Sequence, residues 1–500
     1  MGGGNIMFIG TNWRIAFAFC TILVGSQWLA AQNPVYKPGE YSAPRYPQVK
    51  SSYTVEELVP IAREVVRRPY MSAFLKAGYN VQQGDKALIV VSGSFDAQVL
   101  DAIVQAIREA GGQADVVRTY GPLRPEGELP IFNVAREARG ILGGRGFRGG
   151  SSFTQETIMR LAENGGYNVL IYKSGGTHPA LKIPWQYIFW NTIDKFVTAA
   201  SFPDEIQVAI DNAAWEMLLE AHRIHAHDPE GTDIQWTVQP RYWEEAKGTY
   251  KKGTGVEGFN IVHEGHISAI PLGMGVDSFK EADAQGVIAG TMNHAGPFPH
   301  IRLSISQGSA AGIEGGGEYG RLWREGLNKW QNVQFPGVSG PGKNKLWEVA
   351  IGTNVNGIRP KNFAELGGSW ERSRAGVIHW GIGARSGFVY EVLLPEEWAK
   401  FNQDHKEAGG HSHIHTYFTT MDIETVDGRK TQLINKGRLT VLDDPQVRQV
   451  TAKYGDPDEL LREIWIPSMP GINVPGNYRA DYASDPVAYT RKEIAENYNY

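Results

Sequence analysis

The amino-acid sequence predicts an α/β fold in two parts: an N-terminal domain of βαβ units on a parallel sheet, and a C-terminal, sheet-rich α+β domain. The chain has 500 residues, more than one ordinary hydrophobic core accommodates, so two domains are expected. In the first half, continuous apolar runs alternate with segments of helical periodicity, which is typical of buried parallel strands joined by helices. From about residue 255, short strands are separated by glycine, which indicates antiparallel sheet.

The N-terminal domain is predicted to open with a helix and continue through two βαβ units. Thr54, followed by acidic residues, is a helix-capping signal. In the first crossover helix, Val99, Ile103 and Ile107 recur at helical spacing, and a Gly-Gly pair ends the helix. The predicted elements are a helix over 54–76, a strand over 87–91, a helix over 96–110, a strand over 114–117, a helix over 155–164, a strand over 167–172 and a helix over 203–223.

The C-terminal domain is predicted from short strands with turns between them. The predicted strands are 259–271, 286–290, 301–306, 346–352, 376–383 and 411–418, with a glycine-rich turn over 312–317. Apolar and polar residues alternate in several of these stretches, which suits half-buried antiparallel strands. The predicted boundaries are 54–245 for the N-terminal domain, 250–445 for the C-terminal domain and 446–500 for a C-terminal extension.

The segment before residue 54 is predicted to lie outside the fold. Arg14 precedes an apolar run from Ile15 to Val24, and small residues suited to signal peptidase follow. The run is too short for a stable bilayer anchor, so residues 1–31 are interpreted as a cleaved export signal, with an uncleaved anchor as the alternative. Residues 32–53, rich in proline and tyrosine, are predicted to form an extended tether. We therefore expect an exported protein, periplasmic or secreted.

Composition excludes several classes of function. The only cysteine, Cys20, lies in the predicted signal, so the mature chain has no thiol nucleophile, thiolate-bound metal or disulfide. A net charge of −5 and a pI near 6.3 give no reason to expect nucleic acid or an anionic membrane as a partner. The hydrophobic fraction of 42% and the charged fraction of 21% are those of a soluble globular protein.

The clearest chemical signal is a histidine cluster late in the sheet-rich domain. His411, His413 and His415 alternate in a β-branched and aromatic run, so in an extended strand their side chains share one face. Three imidazoles on one face favour a divalent transition metal between them. A solvated edge strand is the alternative interpretation.

Three further residues are candidates for the same site. Glu348 and His379 lie in apolar strands, where a buried carboxylate or imidazole is costly unless it is paired or binds a metal. Each also fits a core residue with a local partner. The spacing of His263 and His266 is not that of the zincin helix motif, but in a strand His266 can reach a metal site.

Two other patterns are interpreted as non-functional. His222, His225 and His227 follow the helix predicted over 203–223, and a helix end leading into a loop usually exposes histidines to water, with metal ligation as the alternative. Residues 144–149 match the dinucleotide-binding fingerprint formally. The residues before them look helical, whereas the fingerprint requires a strand there, so a Gly/Arg loop is predicted instead.

These motifs resemble two related groups, the aminopeptidase T-like metallo-aminopeptidases and the 2,5-dihydroxypyridine 5,6-dioxygenases, which are mononuclear non-heme iron enzymes sharing that peptidase's fold. The resemblance covers about residues 55–445. It is carried by the turns 80–85 and 231–233 and by the stretches 265–271, 301–317, 348–352, 379–383 and 413–415. The stretch 301–319 looks more like the dioxygenase, whereas His379 and the Gly-Ile-Gly after it look more like the peptidase.

The resemblance implies a set of metal ligands. Glu348 falls where the peptidase has a metal-binding Glu and the dioxygenase an iron-binding His, and His379 falls on a peptidase metal His. His413 falls on the His that both groups use, and His415 on the Asp that both place two residues later. His266 falls near the peptidase's other metal Glu. The implied metal ligands are Glu348, His379, His413 and His415, with His411 outside the set.

This implied set favours one metal ion over two. A dinuclear peptidase site needs several carboxylates to balance its charge, and Glu348 is the sole acid here. The peptidase's catalytic Tyr would fall near Ser386, with Tyr390 the nearest tyrosine. About three His and one Glu suit a single divalent ion, with Fe(II) favoured and Zn(II), Co(II) or Mn(II) as alternatives.

The function implied by the resemblance is that of a ring-cleaving dioxygenase acting on a hydroxylated aromatic or heteroaromatic small molecule. His379, His266 and Tyr417 are the predicted catalytic residues, and Trp380 is predicted to line an aromatic pocket with Tyr417. A metallo-aminopeptidase and a non-catalytic metal-binding protein are the alternatives. The resemblance also implies a homo-oligomer. We predict that His413→Ala abolishes metal binding and that His411→Ala does not.

Overall fold

The computed structural model describes the chain from residue 33 to residue 500, apart from several internal stretches. The described residues are 33–68, 78–93, 95–119, 155–172, 183, 185–187, 190–238, 266–268, 282–294, 296–361, 370–384, 394–405 and 410–500. The predicted export signal, the loop predicted over 144–149 and most of the strand predicted over 259–271 lie outside them. No helix within the described ranges is long and apolar enough to cross a membrane.

A small parallel sheet carries the βαβ units. Its strands are β1 (Lys86–Ser92), β2 (Gln113–Thr119), β3 (Val169–Tyr172) and β4 (Trp185–Tyr187), in the order β2-β1-β3-β4. All three pairings are parallel. The predicted α/β class is confirmed.

Helices pack on both faces of this sheet. They are α1 (Val55–Arg67) and α2 (Ala97–Glu109) on one face and α3 (Gln155–Asn164) on the other. In β1, Ile89 packs with α1 and α2, and Leu88 packs with α3. Because both faces are covered, the strand is a continuous apolar run rather than an alternating one.

The first helix is shorter than predicted. Thr54 caps it by accepting a hydrogen bond from the Glu57 amide, and the Glu57 carboxylate accepts one from the Thr54 amide. The helix ends at Arg67 instead of near residue 76, and Arg68 has φ −52° and ψ 136°. Pro69 explains this end, because its ring disfavours helical backbone in the preceding residue.

A twelve-stranded, predominantly antiparallel sheet forms the larger part of the described structure. Its strands are β5 (Ala221–His227), β6 (Asp233–Thr237), β7 (His266–Ser268), β8 (Gln285–Asn293), β9 (Gly296–Ser306), β10 (Ser309–Gly315), β11 (Lys345–Gly352), β12 (Ile378–Gly383), β13 (His411–Thr416), β14 (Thr420–Thr425), β15 (Lys430–Asn435) and β16 (Arg438–Leu439). The order is β13-β12-β11-β10-β9-β8-β6-β5-β14-β15-β16, with β7 paired to β11. A further pairing of β13 with β8 closes the strands from β8 to β13 into a ring.

Helices and short turns cover this sheet and extend to the C-terminus. They are α4 (Ile193–Thr198), α5 (Asp204–Leu219), α6 (Gly317–Trp330), α7 (Pro395–Asp404), α8 (Pro445–Thr451), α9 (Pro457–Leu460) and α10 (Pro486–Asn497), with 3-10 turns at Trp370–Ser373 and Thr440–Asp443 and a π-helical turn at Tyr478–Ala483. The main hydrophobic core lies between the large sheet and helices α5 and α6, and Trp215, Trp236 and Trp323 are buried in it.

Two stretches differ from the sequence prediction. The segment 221–227, expected to be a helix end and a loop, is strand β5, because α5 ends at Leu219 and the next residues pair with β6 and β14. The segment 312–317, expected to be a turn, continues β10 to Gly315. The reversal itself is confined to Gly315, Gly316 and Gly317, whose φ values are 71°, 76° and 52°.

A buried carboxyl beside the large sheet makes stability depend on pH. Glu230 accepts hydrogen bonds from the Tyr478 hydroxyl at 2.6 Å and the Thr291 hydroxyl at 3.2 Å. Burial, together with the nearby Asp228 carboxylate, raises the pKa of Glu230 from 4.5 to about 8. The folded state therefore keeps a proton that the unfolded chain releases near its ordinary pKa.

We expect the free energy of unfolding to fall as the pH rises from about 4.5 to about 8, by at most about 1.4 kcal/mol per pH unit for this one group. Glu230→Gln keeps an acceptor for Tyr478 and removes the titrating carboxyl. The stability of the variant relative to the wild type should therefore increase as the pH rises. Denaturant unfolding of both proteins at about pH 5.5 and about pH 7.5 measures this. An identical pH dependence in the two proteins contradicts it.

Candidate metal centre

Three neighbouring strands of the ring, β11, β12 and β13, carry ionisable side chains at positions that lie opposite one another across the strands. β12 lies between β11 and β13, and its Gly381 is opposite both Glu348 and His413. In the next row, His379 is opposite His415. Because directly opposed residues, and residues two apart along a strand, point to the same face, these four side chains converge on one side of the sheet.

Gly381 provides the space in which these groups meet. A Cβ added there would lie 2.6 Å from His411 Cδ2 and 2.8 Å from Glu348 Cβ. Such contacts are shorter than van der Waals packing allows. The glycine in the middle strand is therefore required by the approach of Glu348 and His411 from the two neighbouring strands.

His379 lies at the centre of the cluster. Its Nδ1 is 3.1 Å from His294 Nε2 and 3.0 Å from His415 Nε2, and its Nε2 is 3.1 Å from Glu348 Oε2. The ring of His413 lies 3.8 Å from that of His294 and 4.4 Å from that of His379, centroid to centroid. Four imidazoles and one carboxylate thus form one continuous set of donor groups.

A second group of ligand atoms lies beside the first and shares His413 with it. Glu348 Oε2 is 2.7 Å from His411 Nε2 and 3.6 Å from His413 Nε2. The ligand atoms of Glu348, His411 and His413 lie within 4.8 Å of one another, as do those of His294, His379 and His413. His413 therefore belongs to both groups, whereas His411, with a side chain 20% exposed, belongs to the outer group.

A buried hydrogen-bond network lies behind His415, on the side away from His379, with its Glu371 carboxylate near the second nitrogen of the imidazole. His415 Nδ1 is 3.8 Å from Glu371 Oε1, and the Tyr417 hydroxyl donates to the same oxygen at 3.1 Å. Arg359 donates to Tyr417 at 3.4 Å and to Glu493 at 3.0 Å. A carboxylate beside the second ring nitrogen is the usual means by which a metal-binding histidine is oriented.

Two members of the cluster are not indicated by the sequence pattern. His294 directly follows β8, and Arg372 lies in the 3-10 turn Trp370–Ser373 that precedes β12. The Arg372 guanidinium contacts His294 Nε2. The pairing of β8 with β13, which sets Met292 opposite His415, brings His294 to the cluster.

The four residues implied as metal ligands, Glu348, His379, His413 and His415, all lie in this cluster. Of the residues predicted to be catalytic, His379 is at its centre. His266 begins β7, where its backbone is opposite Gly352 of β11.

The two aromatic residues predicted to line a pocket are fully buried. Tyr417 packs edge-on against Trp465, with ring centroids 5.9 Å apart, and its hydroxyl is engaged by the network behind His415. Trp380 packs edge-on against Trp236 at 6.1 Å, in the main core. Both side chains thus support the strands that carry the histidines.

Burial sets the protonation states of the cluster. It lowers the pKa of His294 and of His379 well below 6.5, and the His413 imidazole adds to this effect at both. Burial alone would raise the pKa of Glu348, but His379 and His413 oppose it and hold the pKa of that carboxyl well below 4.5. Neutral imidazoles and an ionised carboxylate are the states in which these groups bind cations.

The donor set fits a divalent transition metal. Metal–nitrogen bonds of about 2.0–2.1 Å place two ligands of one ion about 3–4 Å apart. The nitrogen separations at His379, 3.1 Å to His294 and 3.0 Å to His415, lie in that range. Imidazole with carboxylate, and no cysteine among the described residues, suits Fe(II), Mn(II), Co(II) or Zn(II).

Fold and site together define a class: an α/β chain with a histidine-rich centre on a closed part of its antiparallel sheet. No protein-family model matches the sequence, and a search of curated proteins finds no match. Among solved structures, the chain is similar to 2,5-dihydroxypyridine dioxygenase from Pseudomonas putida KT2440, with 14% identity, a TM-score of 0.44 and coverage of 79% of this chain and 99% of that one. It is also similar to AmpT from Thermus thermophilus, with 15% identity, a TM-score of 0.41 and coverage of 77% and 99%.

These two proteins belong to the two groups that the sequence motifs resemble. Similarity at this level is shared by proteins of different activity. The function proposed next rests on this chain's own residues.

Proposed function

We propose that the chain is a metal-dependent enzyme whose histidine cluster holds one divalent ion. Fe(II) is the favoured ion, with Zn(II), Co(II) or Mn(II) as alternatives. The proposed reaction is that of a dioxygenase, which cleaves the ring of a hydroxylated aromatic or heteroaromatic small molecule. The observation that carries this proposal is the donor set: four imidazoles lie against one another, and two of them, His379 and His413, lie against the Glu348 carboxylate. Such a set suits a single redox-active ion.

The charge of the cluster supports one ion over two. A dinuclear hydrolytic centre needs carboxylates that bridge and neutralise two cations and a hydroxide. Among the described residues, Glu348 is the acid whose oxygen contacts the imidazoles on the cluster side, at 2.7–3.6 Å. Glu371 approaches His415 from the other side and is bound by Tyr417.

Arg372 favours a substrate with an acidic oxygen. Its guanidinium contacts His294 and is 5% exposed, so it lies at the buried centre rather than at the surface. Guanidinium groups bind phenolate and carboxylate oxygens through paired, charge-assisted hydrogen bonds. An aminopeptidase must instead accept an α-ammonium group, which the Arg372 charge disfavours.

In this proposal the residues of the cluster divide into metal ligands, a substrate-orienting group and a proton path. When bound, the ion supplies the redox chemistry by which both atoms of O2 enter the ring-opened product. His294, His379 and His413 would hold it, and Arg372 would orient the anionic oxygen of the substrate. Glu348 and His411, joined at 2.7 Å and each about a fifth exposed, would carry the proton released by a ring hydroxyl to solvent.

Oxygen uptake after anaerobic metal loading tests this function. We expect Fe(II)-loaded protein to consume oxygen with dihydroxypyridine-like or catechol-like compounds, and Zn(II)-loaded protein to consume none, because zinc has no redox chemistry. Elemental analysis of the protein as purified should find iron. Absence of bound iron together with absence of oxygen uptake would remove the proposal.

Other outcomes identify the alternatives. Hydrolysis of amino-acid anilides, lost on chelation and restored by zinc or cobalt, would assign an aminopeptidase. Stoichiometric metal binding with neither activity would assign a metal-binding protein whose ligands leave no open position.

We also propose that the mature protein acts after export and as a homo-oligomer. The apolar run from Ile15 to Val24 with its following small residues supports export, and the family resemblance supports assembly. The N-terminal sequence and the native mass of protein recovered from the export compartment test both points.

A further inference from the structure

A second group of ligand-type side chains lies on the exposed face of the large sheet and shares no residue with the buried cluster. His225 and His227 are two apart on β5 and therefore share a face, and Asp422 of β14 is directly opposite His225. Their side chains are between 41% and 47% exposed. The three ligand atoms lie within 4.8 Å of one another.

Both imidazoles are directed at the same carboxylate oxygen. Asp422 Oδ2 is 3.9 Å from His225 Nδ1 and 3.6 Å from His227 Nε2. Ion–nitrogen and ion–oxygen bonds of about 2.0–2.2 Å hold two ligands of one ion at up to about 4 Å from each other. These separations are longer than hydrogen bonds and match ligands that surround a common ion.

Neighbouring strands orient the first of these imidazoles and the carboxylate through their other atoms. The second nitrogen of His225, Nε2, is hydrogen-bonded to Asp233 Oδ1 of β6 at 2.8 Å. Gln432 of β15 donates to the other oxygen of Asp422 at 2.8 Å. A carboxylate on the far nitrogen of a histidine is the arrangement that fixes a metal-binding imidazole, leaving Nδ1 as the ligand atom.

The charge of the group is also suited to a dication. With neutral imidazoles, Asp422 and Asp233 carry two negative charges, which a divalent ion would balance. Three protein ligands from a strand pair, with the fourth position open to solvent, are the usual composition of an accessible zinc site.

We propose that His225, His227 and Asp422 bind a second divalent metal ion, zinc or a borderline ion like it, with Asp233 orienting His225. The site is exposed and independent of the buried centre, so its occupancy depends neither on substrate nor on the activity proposed above. Three ligands with a free position make it an exchangeable surface site.

Zinc stoichiometry by equilibrium dialysis and elemental analysis tests the proposal on the full chain. We expect His227→Ala and Asp422→Asn each to bind one zinc fewer than the wild type. His222→Ala is the matched control, because His222 is an exposed histidine of the same strand outside the group, and it should bind as the wild type does. All three positions are at the surface, so we expect folding to be retained.

The His413→Ala variant distinguishes zinc bound at this site from metal bound at the buried centre. That variant should keep the zinc that His227→Ala loses, and the double variant should lose both. Equal zinc content in the wild type, His227→Ala and Asp422→Asn overturns the proposal, and so does an equal loss in the His222→Ala control. Neither result depends on whether the protein consumes oxygen.

Discussion

His413→Ala is expected to abolish stoichiometric metal binding at the buried centre, while His411→Ala retains it. His413 belongs to both groups of ligand atoms, and its ring packs against those of His294 and His379. His411 belongs to the outer group alone, where it contacts Glu348 at 2.7 Å and the edge of the His413 ring, and it is partly exposed. Removing an orienting partner weakens metal binding by about 10–100-fold, whereas removing a shared ligand leaves an incomplete site.

The two variants form a matched pair on one strand, two residues apart on the same face. Iron and zinc affinities measured by competition with a chelator, with circular dichroism to confirm folding, give the comparison. Loss of binding in both variants to the same degree would mean that the three histidines of β13 act equivalently.

Gly381→Ala is expected to weaken metal binding at the same centre by at least about tenfold, without any change to a ligand. The added methyl group would occupy the space between His411 and Glu348, at 2.6 Å and 2.8 Å from their atoms. The His411 ring can rotate aside, whereas Glu348 Cβ is fixed by its backbone, so strand β11 must shift slightly. We expect the fold to survive with about 1–3 kcal/mol less stability.

Gly312→Ala is the control for this substitution. Gly312 also lies in a strand of the large sheet, but nothing lies within 4 Å of a Cβ built there. It should bind metal as the wild type does. Wild-type metal affinity in Gly381→Ala would contradict the role given to the glycine.

The sequence allowed the strands of the site to be predicted because their signals are local. His411, His413 and His415 recur every second residue, and only in an extended strand do residues at this spacing lie on one face. The structure places all three in β13. The apolar surroundings of Glu348 and His379 likewise marked β11 and β12.

The residues that the sequence did not reveal reach the cluster through long-range pairing. His294 directly follows β8, whose sequence pattern gives no sign of a site, and it reaches the histidines because β8 pairs with β13 across more than a hundred residues. Glu371 and Arg372 lie in a short 3-10 turn, where no periodicity indicates which side chain turns inward.

Two element boundaries also differ from the sequence prediction, one for a local reason and one for a long-range reason. Pro69 marks the end of α1, and the chain after α5 returns as strand β5 because its partners β6 and β14 are supplied from elsewhere in the sequence. His225 and His227 therefore share a sheet face instead of lying in a solvated loop.

Anomalous diffraction from crystals of the Fe(II)-loaded protein, recorded at the iron absorption edge, tests the central claim most directly. One peak within about 2.0–2.3 Å of nitrogen atoms from His294, His379 and His413 is the expected result. Two peaks about 3.5–4 Å apart, as in a dinuclear hydrolase, or no peak among these histidines, would contradict a single-ion centre.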